Sequence, residues 1–196
     1  VRSHRQITRS PHRHILLRIL TGILVCASVG AHAAQPAPSF TPADVAFLQQ
    51  MIPHHAQAIE LAQLTDGRTT SRHVTTLAAT IAETRLRELT RMQAWLTTRG
   101  QIAPEQFAHH NETPFMPGVL TPDAMKQLAA RTGAEFDAGW KGSLRQHDEG
   151  VLAMIRELQS LPGTGREPEI AAIISTLAVE MRSELERLGP TSDRDD

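Results

Sequence analysis

The sequence predicts an all-α domain, a four-helix bundle made of two helical hairpins joined by a long crossover connection. Three observations lead there. No segment alternates apolar and polar residues with a period of two, and four long segments repeat apolar residues at three and four positions. The two halves also resemble each other at a nearly fixed offset.

The chain begins with a segment that lies outside the expected domain. Arg2, Arg5, Arg9, Arg13 and Arg18 precede an apolar run from Ile19 to Val29, followed by Ala31-His32-Ala33. That order predicts a signal peptide over residues 1–33, cut after Ala33, and the run is too short for a comfortable membrane span. A retained N-terminal anchor is the alternative. Residues 34–40 read as a flexible lead-in, 41–190 as the bundle domain and 191–196 as a disordered polar tail.

Removal of the signal leaves 15 basic against 21 acidic residues, a net charge of about −6. An acidic chain argues against nucleic acid as a partner. The single cysteine, Cys26, leaves with the signal, so the mature chain has no disulfide and no thiolate ligand. All six methionines and six of the ten histidines stay.

Each helix has its own start and stop signals. Thr41-Pro42-Ala43-Asp44 supplies an N-cap, a proline at the first helical position and an acid in the first turn, opening a helix to about Leu64. A second helix over about Ser71–Thr98 carries Val74, Leu77, Ala78, Ile81, Leu86, Leu89, Met92, Trp95 and Leu96 on one stripe and ends at Gly100. Pro104, Pro114, Pro117 and Gly118 break the pattern between 100 and 120, where a short helix around Pro104–His109 is expected. Thr121-Pro122-Asp123 opens a short helix to about Arg131. A third main helix follows over Ala134–Leu161, and a fourth over Glu167–Leu188.

Chemistry concentrates in the first helix at Met51-Ile52-Pro53-His54-His55. His54 and His55 follow Met51 by three and four residues, so one turn offers a thioether and two imidazoles. That donor set suits Cu(I) better than calcium or magnesium. Pro53 removes a backbone hydrogen bond in the helix interior and predicts a bend beside the histidines. A kinked core helix with two structural histidines is the competing reading.

The second half aligns with this motif, Met51 with Leu144, His54 with His147 and His55 with Asp148, each 93 positions later. Glu88-Leu89 aligns with Glu184-Leu185, 96 positions later.

Met-Ile-Pro-His-His followed by Ala58-Ile59-Glu60-Leu61-Ala62, then Glu88-Leu89, Met92 and Trp95-Leu96, resembles the domain of unknown function 305 family. Phe136-Asp137 and the His147 segment resemble the family's second half. The resemblance covers nearly all of residues 43–188. It implies a ferritin-like bundle in an exported bacterial protein and, as in CopM-like members, copper binding in the periplasm. Two departures stand out. The family's second half repeats a methionine and paired histidines where this chain has Leu144, His147 and Asp148, and a usual glutamine is Arg85.

The expected metal residues are therefore His54 and His55, with Met51 as third ligand, and Met92, Met154 and His147 as further candidates. Met92 and Met154 also suit core packing, and His147 with Asp148 suits a surface pair. His109 and His110 lie in the crossover with Met116 as a peripheral pair, and Glu88 could orient a histidine. Trp95 and Trp140 are expected to pack.

Enzyme motifs are missing. No histidine has a glutamate three residues before it, as a di-iron bundle needs, and no His-Glu-x-x-His occurs. The expected function is an exported, non-enzymatic protein that sequesters or carries copper, as Cu(I), or silver, as Ag(I), for metal tolerance. The alternative is a metal-free helical module that binds a partner protein or envelope component. A homo-oligomer and a copper-delivery partner are left open, and no stable membrane insertion is expected after signal cleavage.

Overall fold

The computed structural model describes residues 39–105 and 116–189. The expected signal peptide, most of the lead-in, His109 and His110, most of the short helix around 104–109 and the 191–196 tail lie outside the described residues.

Five helices make up the described chain: α1 (Pro42–Gln63), α2 (Arg72–Thr98), α3 (Pro122–Ala129), α4 (Gly133–Ser160) and α5 (Pro168–Leu188). No strand occurs among the described residues. The fold is all-α and ferritin-like. α1 pairs with α2 and α4 with α5, while α1 lies against α4, and the short α3 rests on α4. The described residues 99–105 and 116–121 belong to the crossover between the two hairpins.

The predicted starts hold to within a residue. Thr41 caps α1 in a reciprocal box: its Oγ1 accepts from the Asp44 amide at 3.1 Å, and Asp44 Oδ2 accepts from the Thr41 amide at 2.8 Å. Asp44 is fully buried because its other oxygen accepts from the Gly165 amide at 2.8 Å, tying α1 to the α4–α5 turn. Ser71, Thr121 and Glu167 cap α2, α3 and α5. α1 continues through Pro53 without a break.

Two apolar clusters fill the bundle. One takes Leu48, Met51, Met92, Trp95, Met154, Ile174 and Met181, with both tryptophans packed as expected but in different clusters. The other takes Leu61, Leu77, Ile81, Phe136, Trp140 and Leu144. Between them α1 contributes His54 and His55, α2 Arg85, α4 His147 and Asp148, and α5 Glu184, all at most 1 % exposed. Polar side chains from all four long helices thus form one layer across the middle of the bundle. Among the described residues, no helix is long and apolar enough to cross a membrane.

Candidate metal centre

The layer follows from sequence register. His54 and His55 sit on α1 between the buried positions Met51 and Ala58, so neither can reach solvent without unpacking the helix. On α4, His147 and Asp148 lie between Leu144 and Val151, on the stripe that faces the core. The surface pair expected for His147 and Asp148 is corrected here: both are fully buried. Shared helical spacing with two apolar neighbours carries them inward.

Each of the three buried imidazoles uses one nitrogen and leaves the other. His54 donates from Nε2 to the Pro117 carbonyl at 2.9 Å, and His147 donates from Nε2 to the His54 carbonyl at 3.0 Å. His55 donates from Nε2 to Glu88 Oε2 at 2.9 Å, the orienting role considered for Glu88. The Nδ1 atoms of all three are buried without a hydrogen-bond partner. Burial holds all three rings far toward the neutral form, His147 at a pKa of about 3, with nearby charge contributing at His54 and His55. A neutral ring that donates from Nε2 carries a lone pair on Nδ1. That lone pair is the form of histidine that ligates a metal, with the other nitrogen fixed by a carbonyl or carboxylate.

The rings of His54 and His147 stand 4.1 Å apart between centroids, tilted by 59°. The residues paired by the 93-residue offset are therefore neighbours in space. His55 points elsewhere, into a charged network. As consecutive residues on a helix diverge by about 100°, the two adjacent histidines serve different partners.

Arg85 is the centre of that network. Its guanidinium donates to Glu88 Oε2 at 3.0 Å, to Glu184 Oε2 at 2.6 Å and to the Met181 sulfur at 3.2 Å. Asp148 Oδ1 is 3.6 Å away and Glu180 Oε2 3.8 Å, beyond hydrogen bonds. Neither oxygen of Asp148 has a hydrogen-bond partner. Burial pushes the Asp148, Glu184 and Glu180 carboxyls up to about 7, against the pull of Arg85. Several acids share one guanidinium, and burial favours keeping some of them protonated.

Met51, Met92 and Met154 all lie in the same apolar cluster on the far side of the layer from α3, and Met181 joins them. Arg85 and Met181 were missed as site residues. The signal was present for Arg85. Arg85 falls four residues from Ile81 and from Leu89 on the apolar stripe of α2, where a cation must be buried. Among the described residues, no three His, Cys, Asp or Glu side chains converge as a metal-ligand group. Any metal here would draw on the imidazole pair and on thioethers, a soft donor set.

The segment Met116–Leu120 holds the site from outside. Gln57 on α1 donates to the Leu120 carbonyl at 2.9 Å and accepts from the Leu120 amide at 2.7 Å. On the other side Gly118, at φ +83°, packs its backbone against α4 at Gly150. Two helices thus fix the Pro117 carbonyl that receives the His54 hydrogen bond.

The model of the domain of unknown function 305 (DUF305) matches residues 44–190. A DUF305 fragment from Deinococcus radiodurans has the same fold, at 25% identity and a TM-score of 0.65, over 77% of this chain and 95% of that one. A DUF305 protein from Streptomyces coelicolor, named as secreted, is 22% identical at a TM-score of 0.64, over 74% and 89%. CopM in its Cu(II)-bound form is 20% identical at a TM-score of 0.60, over 74% and 92%, and it also occurs in Cu(I)-bound and Ag-bound forms. None of the curated proteins compared matches this chain. With its bundle spanned almost end to end by that match, the chain belongs to the DUF305 family.

Proposed function

We propose that this protein binds one Cu(I) or Ag(I) ion as cargo, between His54 Nδ1 and His147 Nδ1, with Met51 as the soft third donor. The observation that carries this reading is the pair of adjacent, buried, neutral imidazoles whose Nδ1 atoms have no partner while each Nε2 is engaged. A monovalent d¹⁰ ion accepts two or three ligands and favours nitrogen with thioether sulfur. It also brings little charge into an apolar interior, where a divalent ion would be costly. His55 orients through Glu88 and is a neighbour of the site rather than a ligand. Met92, Met154 and the second half's Asp148 belong to its surroundings. The copper-bound forms of CopM support the cargo.

The role that follows is sequestration or transport of the ion in the cell envelope after export, without catalysis. A Cu(I) competition titration against a coloured chelator under reducing conditions tests it. One copper held by the wild type and lost in His54→Ala/His147→Ala, with the fold retained, is the expected outcome. Equal stoichiometry in the two proteins would sink the assignment.

One observation favours a second reading, the metal-free partner-binding module. Arg85 already places a cation among the layer's carboxylates, so the layer has internal charge compensation. Unchanged melting with and without Cu(I) would select that reading, because a ligand of the native state must stabilise it.

A further inference from the structure

The His54–His147 pair has no exposure of its own, so an ion must reach it along some seam of the bundle. One cavity, of about 370 Å³, opens on the seam between α1 and α4. Phe47 and Gln50 line it from α1, Met154 and Glu157 from α4, and Met116 with Pro117 from the crossover. A volume of that size holds about a dozen waters, enough for an ion with its hydration or a small carrier ligand.

The walls lead to the histidines. One helical turn beyond Phe47 and Gln50 lie Met51 and His54. On α4, which runs antiparallel to α1 at this seam, two turns before Met154 lies His147. The hydrogen bond from His147 to the His54 carbonyl fixes that register. Pro117 is shared: it lines the cavity, and its carbonyl holds His54. Met116 and Met154 thus both line the cavity, each about 5 % exposed or less. The exposed Glu157 also lines the cavity, and its carboxylate gives an approaching cation negative charge there.

We infer that Met116 and Met154 form an outer thioether site for a soft monovalent cation, from which the ion passes along the α1–α4 seam to His54 and His147. The inference deepens the proposed function and rests on it for the destination, but not for the outer site. Thioethers exchange soft ions without a proton change, so the step transfers an ion between neutral ligands and needs no oxidant or reductant.

The test uses the full chain, Ag(I) as a redox-inert probe, and carbon-13 methionine methyl with nitrogen-15 histidine spectra. Movement of the Met116 and Met154 methyl signals in the wild type is expected as Ag(I) is added in the absence of chelator, and it should persist in His54→Ala/His147→Ala, whose outer site releases the ion to a competing chelator. In Met116→Leu/Met154→Leu, which preserves apolar bulk, Cu(I) uptake from the chelator should slow by about tenfold with little change in final stoichiometry. The single variant Met116→Leu, outside the helices, repeats the rate measurement with less demand on the core. Methyl signals that stay still in the wild type, or an uptake rate unchanged in both leucine variants, would overturn the outer site. Shifted methyls with unshifted histidines would uphold it and overturn the inner site instead.

Discussion

Gly150→Ala should destabilise this protein, although the same change in an ordinary helix does the reverse. Replacing an interior helical glycine with alanine is favourable by about 0.5–1 kcal/mol. At Gly150 the added Cβ would lie 2.2 Å from the Pro117 oxygen and 2.5 Å from Gly118 Cα, both backbone. The crossover would have to retreat by roughly 1 Å to restore ordinary contact. Overpacking of this kind costs about 1–3 kcal/mol. The retreat also pulls Pro117 from His54 and leaves a buried N–H unmet, at a further cost of about 1–3 kcal/mol. Net destabilisation is thus centred near about 3 kcal/mol, a fall in melting temperature of roughly 6–12 °C for a domain of this size. Gly142, on the same helix with nothing within 4 Å of its Cβ position, is the internal control. Gly142→Ala should raise the melting temperature by about 1–4 °C. Calorimetry of both apo-variants gives the answer. A Gly150→Ala protein that melts at or above the wild type would refute the view that this close approach locks His54.

Further outcomes follow from the polar layer and the helix ends. Asp148 has its folded carboxyl raised to about 7, so the folded state holds more protons than the unfolded state between pH 4 and 7. Its contribution therefore worsens as pH rises through that window, and Asp148→Asn should gain stability over wild type on going from pH 5 to pH 8 in thermal melts. The lowered histidines act in the opposite sense: their contribution is lost as pH falls below about 6.5 toward 3, so His147→Gln should flatten the acid limb of the wild-type curve. Asp44→Ala leaves the Thr41 cap but removes the reciprocal half of the α1 capping box and strands the Gly165 amide, and urea titration should read a loss of about 2–4 kcal/mol. Trp95→Phe deletes the 3.0 Å bond from Nε1 to Glu167 and should cost about 1.5–3 kcal/mol in the same assay.

The helices themselves were written locally. Thr41-Pro42, Ser71, Thr121-Pro122 and the apolar stripes are local patterns, since caps and a period of 3.6 act within a few residues, and the observed ends follow them. The two histidines aligned by the 93-residue offset, His54 and His147, also meet across the bundle. The sequence could not apportion the histidines. Adjacent residues on a helix point in different directions, and only the packing of α2 and α4 against α1 sent His55 to Glu88 and His54 to His147. Tertiary structure likewise decided that Asp148 is buried and that Arg85, on an apolar stripe, finds Glu88 and Glu184. It alone put the Pro117 carbonyl, 63 positions from His54, within hydrogen-bond reach. Burial and partner choice depend on distant backbone, whereas caps and stripes depend on neighbours. That is why the sequence determined the bundle and the side-chain types at its centre, and the fold decided which nitrogen atoms remain free.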